Sequence, residues 1–134
     1  MEAAVAFLFL LVILVAMFEM ALVFASYIAL LNTSVQGAIY AAGYPNMESN
    51  PPDTNYEQYV SIMQAEALAG SLSWVDIGIN PPELPGSVVA GEPITVTVEY
   101  TMTTFASEVV FPMFGRFGLP SAYHISARTA APIR

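Results

Sequence analysis

From Ala3 to Phe18 every residue is apolar, Glu19 interrupts once, and Met20 to Leu31 continues with polar atoms only on Ser26 and Tyr27. A run of this length exceeds the roughly 20 residues that cross the hydrocarbon core of a bilayer. No Pro and no long polar break precedes Gly43-Tyr44-Pro45, so the pattern predicts one helix over residues 1 to about 43. With a rise of about 1.5 Å per residue it is roughly 65 Å long, about twice the hydrocarbon thickness, and its second half must leave the membrane. Asn32, Thr33, Ser34 and Gln36 add polar positions there, while Ala38, Ile39, Ala41 and Ala42 keep an apolar face on which a head can pack.

Tyr44 to Asn55 is dense in turn formers: Pro45, Asn46, Ser49, Asn50, Pro51, Pro52 and Asp53. Thr54 with Glu57 three residues later fits a capping box. It opens a helix over about 56–69, with Tyr56, Tyr59, Val60, Met63 and Ala67 at helical spacing and Gly70 as the stop signal. From Leu72 the period changes to two. Strands are expected over about 74–79, 93–101 and 121–129, with a Pro- and Gly-rich connection from Asn80 to Gly91. In the second strand Ile94, Val96, Val98 and Tyr100 alternate with Thr95, Thr97, Glu99 and Thr101; in the third, Tyr123, Ile125 and Ala127 share a face. The expected fold is α+β: a membrane and packing helix over 1–43, then a head over 44–134 with a second short helix and a small antiparallel sheet of about three strands.

Composition sharpens this picture. A chain with 56% hydrophobic and only 10% charged residues is too apolar for a standard soluble domain. A cleavable signal peptide fits poorly, because the run is too long and lacks a basic start. The three basic residues are Arg116, Arg128 and Arg134, so neither flank of the apolar run carries the positive charges that usually set membrane orientation. Removal of a basic leader ahead of Met1 is the simplest explanation; Met1 as initiator, with only its amine left inside, is the alternative. A formal charge of −8 repels phosphate backbones and argues against nucleic acid as a partner. With no cysteine there is no disulfide, thiolate metal site or thiol nucleophile.

Two carboxylates stand out. A charged side chain within a bilayer costs at least about 2.5 kcal/mol and needs a partner or an interfacial position. Glu2 adjoins the amine of Met1, and in a staggered bundle a neighbouring subunit's amine can neutralise it. Glu19 lies about 25 Å further along the helix, near the far interface, and is expected to be buried or hydrogen-bonded among helices after assembly. Ala21, Ala25 and Ala29, four residues apart, form a small-residue face for close helix approach. The apolar segment from Phe111 to Pro120, with Phe114 and Phe117, is expected to bury against the head's own core or a neighbouring subunit. Arg116 within it and Arg128 nearby are candidates to pair with acidic residues across that boundary. His124, the single histidine, reads as a strand-face residue, and with no triad, phosphate loop or zinc spacing the chain does not read as an enzyme and implies no cofactor or metal.

The order Glu2, apolar run, Glu19 and Gly37-Ala38-Ile39-Tyr40-Ala41-Ala42 resembles the TadE-like pseudopilins of tight-adherence pili, a type IV pilin-like family with a Val-Glu-Phe start, a second Glu and a Gly-Ala-Arg-Tyr-Ala-Ala stretch. The tail is similar too, through a Val-Thr-Val strand, a Phe/Pro-rich connection and Ile125-Ser126-Ala127-Arg128. Ala3 stands where the family has Phe and Ile39 where it has Arg, and the span lacks the Pro that often kinks such helices. The resemblance implies a leader cleaved by a prepilin peptidase, residence in the cytoplasmic (inner) membrane, and incorporation into an extracellular pilus as a helical homopolymer built by dedicated assembly machinery. Glu2 would match the glutamate that orients subunits. Two alternatives stay open: a minor accessory pseudopilin that stays in the membrane or initiates the pilus, and a single-span accessory subunit of a membrane enzyme or transporter.

Overall fold

Helix α1 (Glu2–Gly43) runs unbroken for 42 residues in the computed structural model, which describes residues 2–49, 52–84, 88–104, 110–111, 115–116 and 120–134. Nothing in its sequence breaks the backbone ladder before Pro45, and its few hydroxyls turn inward on it. Thr33 Oγ1 donates to Ala29 O at 3.0 Å and Ser34 Oγ to Leu31 O at 2.8 Å, which hides their polarity inside the head.

Helix α2 (Thr54–Ala69) follows the expected turn, but Asp53, not Thr54, is its N-cap. The Asp53 carboxylate accepts from Tyr56 N at 2.7 Å, satisfying one of the free amides of the first turn. The helix returns antiparallel along α1. Tyr40 Oη donates to Gln58 Oε1 at 3.1 Å, Gly37 faces Met63, and Gly70 at the far end faces Ala29. A Cβ on Gly37 would stand 2.7 Å from Met63 Sδ, so the missing side chain sets how closely the helices approach. Ser71, at φ 62°, turns the chain away from α2 in the left-handed region.

The sheet has the order β1-β2-β5, with β1 (Ile77–Ile79), β2 (Pro93–Thr103) and β5 (Ala122–Pro132) all antiparallel. Trp74–Asp76, expected as strand, forms a 3-10 turn that leads into β1. Both long strands run further than expected because they support each other over the whole ladder from Pro93↔Pro132 to Thr103↔Ala122. The Phe/Pro-rich connection holds a two-stranded ribbon of β3 (Val110–Phe111) and β4 (Gly115–Arg116) that the sequence pattern did not predict.

The second half of α1 is the spine of the head, packed by α2, β2 and β5. Ile94, Val96 and Val98 from β2, Ala127 from β5 and Tyr59, Met63 and Ala67 from α2 join Leu30, Ala38, Ala41 and Ala42 of α1 in one buried cluster. Each large member contributes about 1.5–3 kcal/mol through burial. Ile39 departs from the expected apolar face: it is exposed, because one step on from Ala38 the helix has already turned outward.

Candidate functional site: the exposed half of the N-terminal helix

α1 changes character at Ile28 and Ala29. Beyond this point one side of it enters the head; before it, most of the apolar residues stand outside, with Phe9 68% and Met17 69% exposed and Phe7, Leu14 and Phe18 similar. An outward apolar surface of this size cannot rest in water and marks a contact with lipid or protein. It belongs to the one described helix long and apolar enough to cross a membrane.

One stripe on this rod is different. Val12, Val15, Ala16, Val23 and Ser26 are half-buried, and between them Glu19 is only 2% exposed. Spaced by three and four, they continue the side of α1 that further on carries Leu30, Thr33, Ser34 and Gly37 inside the head. Glu19 is thus buried within the single chain, and a buried carboxylate has to be received by other protein groups.

The three alanines divide. Ala21 and Ala25 are exposed and lie about 200° and 240° around the helix from Glu19, on the side turned away from it. Ala29 is buried against α2, where its Cβ would meet a Cβ on Gly70 at 2.6 Å. Its small size therefore serves packing inside the subunit, and the expected three-residue face is reduced to Ala21 and Ala25. Met1 lies outside the described residues, and Glu2 is described only as backbone in the first turn of α1.

Of the second group, Phe114 and Phe117 lie outside the described residues, and Phe111 and Arg116 are described only as backbone of β3 and β4. Arg128 has an acidic partner within the chain: its Nη2 donates to Glu83 Oε2 at 2.9 Å. Both side chains are well exposed, so the pair contributes at most about 1 kcal/mol. His124 lies on the wet face of β5 with Nδ1 3.1 Å from Thr101 Oγ1. Among the described residues no three His, Asp or Glu side chains gather as a metal site. The half-buried stripe through Glu19 was missed from the sequence, although a three-four count from Leu30 back to Val12 would have traced it.

The fold and this surface together define an α+β protein with, among the described residues, one N-terminal helix long and apolar enough to cross a membrane. Comparison with protein families, with curated proteins and with solved structures gave no match.

Proposed function

We propose that the chain is a structural subunit of an extracellular filament of the type IV pilus class, held in the membrane by the first half of α1 until it polymerises through that same surface. The observation that carries this reading is one continuous helix whose second half is the core of a head and whose first half turns apolar side chains outward everywhere but along the Glu19 stripe. Such a rod exchanges lipid for copies of itself at little cost, because both surroundings are apolar, and small residues such as Ala21 and Ala25 allow close approach. The resemblance of the helix and tail to TadE-like pseudopilins supports the same reading, and the acidic heads would then face the medium.

Sheared surface material is the place to test it. Fibres containing this chain in quantity are expected from cells expressing it with its assembly partners, and Glu2→Ala is expected to abolish or slow their formation while the chain still inserts in the membrane. Normal fibre yield from Glu2→Ala would refute the pairing role of Glu2. A stable complex with a membrane enzyme or transporter, with no fibres, would overturn the filament itself. A chain found only at trace level in sheared fibres would belong to an accessory subunit.

A further inference from the structure

Two independent threads lead to one end of the head. Along α2, the contact of Gly70 with Ala29 places the C-terminal end of that helix beside the last exposed turn of the rod. Along the sheet, Ile77 opens β1 opposite Tyr100, and two residues further on β2 the Met102 sulfur lies 3.7 Å from Ser26 Oγ on α1. The corner that joins α2 to β1 is therefore held next to the Ser26–Ala29 turn. It presents Val75, 91% exposed, with Leu68 of α2 at 55% exposure close by in the chain.

The height of this corner follows from helix geometry. A span of about 20 residues starting at Ala3 ends near Leu22. Ser26 is four residues on, about 6 Å above the hydrocarbon edge, and the headgroup layer is about 5–7 Å deep on each side. The apolar run does not stop at Leu22: Phe24 and Ile28 are still exposed. No polar stalk separates rod from head. Tyr27 on α1 and Tyr123 on β5, the ladder partner of Met102, stand at the same level, where amphipathic rings gather in membrane proteins.

We propose that the α2–β1 corner, through Val75 and Leu68, is a lipid-contact rim that seats the head in the headgroup layer of a zwitterionic bilayer. It rests on the membrane-anchored part of the function proposed above and does not depend on polymerisation. The contact is apolar rather than electrostatic. Asp76 is the charged neighbour of Val75, and a chain of net charge −8 gains nothing from anionic lipid. The rim would fix the tilt and rotation of the head about α1.

Because the chain has no cysteine, single spin labels can be placed on the full-length protein in phosphatidylcholine vesicles at Val75→Cys, at Phe9→Cys within the span and at Glu57→Cys on the exposed start of α2. Relative accessibility to oxygen and to a water-soluble nickel chelate reads depth. The label at Val75 is expected to be several-fold richer in oxygen contact relative to nickel than that at Glu57, at every protein-to-lipid ratio. If Val75 matches Glu57 while Phe9 reads deep, the rim is wrong and the span stands. If Phe9 also reads as water-exposed, the membrane reading fails and takes the rim with it. Protection of Val75 that vanishes when the protein is diluted in lipid would assign the corner to a second copy of the chain and overturn the lipid contact.

Discussion

The hydroxyl of Ser34 on α1 lies 2.6 Å from the hydroxyl of Thr129 on β5. Ser34 Oγ gives its single proton to Leu31 O, so Thr129 Oγ1 is the donor to Ser34 Oγ, and two groups that would be costly to bury singly satisfy each other at the junction of spine and sheet. Thr129→Val and Ser34→Ala are each expected to cost about 1 kcal/mol. In a double-mutant cycle the pair should cost less than the sum, with a coupling of at least about 0.5 kcal/mol. Urea unfolding in detergent measures this, and strictly additive losses would show that the bond adds no stability.

Two glycines sit against neighbours of different stiffness. At Gly70 a Cβ would come within 2.6 Å of Ala29 Cβ, an atom fixed to the backbone of α1, whereas at Gly37 it would meet the Met63 thioether, which can swing aside. Gly70→Ala is therefore expected to destabilise by about 1–3 kcal/mol. Gly37→Ala should be nearly neutral, since better helix propensity returns up to about 1 kcal/mol. Ala29→Gly should recover part of the loss in the Gly70→Ala variant, whereas added to Gly37→Ala it should only cost its own helix propensity of about 1 kcal/mol. Thermal unfolding of the four variants decides the ranking.

Tyr59 gives the head a dependence on alkaline pH. Burial, with a smaller effect from Tyr56, raises its phenol far above the ordinary value of 10.0, and its Oη donates to Asn80 O at 3.3 Å. The unfolded chain ionises this group near pH 10 while the folded chain keeps it protonated. Its contribution is therefore complete below about pH 10 and is lost as pH rises beyond, by at most about 1.4 kcal/mol per pH unit. Unfolding midpoints for the native chain and Tyr59→Phe, followed from pH 8 to 11.5, should diverge only above pH 10, with the native chain falling faster. Parallel curves would remove the effect.

Much of the fold could be read in advance, and where reading failed the cause is local. The apolar run and the late position of the first Pro predict α1, and the alternation from Ile94 to Tyr100 predicts β2, because both signals are periodic and long. Asp53 displaced Thr54 as cap because both are good cap residues and only the path of the turn decides which oxygen reaches Tyr56 N. Trp74–Asp76 has strand-forming residues, yet Leu72 is held to Ala67 O and the chain has to turn before it can pair with β2. In the sequence Arg128 has no evident partner nearby; the bridge that places Glu83 opposite Thr95 brings a carboxylate from 45 residues away in the chain to meet it.

The candidate surface divides in the same manner. Sequence alone determined that residues 3 to 31 are helical and apolar apart from Glu19, Ser26 and Tyr27, and that the chain carries a surplus of negative charge, since both are properties of composition and of one uninterrupted run. Only the tertiary structure decided which side of the rod is open. Glu19 and Ala29 are turned inward in a single chain while Ala21 and Ala25 remain outside; for Ala29 the reason is the angle at which α2 and the β2–β5 pair close on α1, set by contacts such as Gly70 with Ala29 and Ser34 with Thr129. Those contacts join residues 41 and 95 positions apart in the chain, and no local pattern in a sequence encodes a distance of that kind.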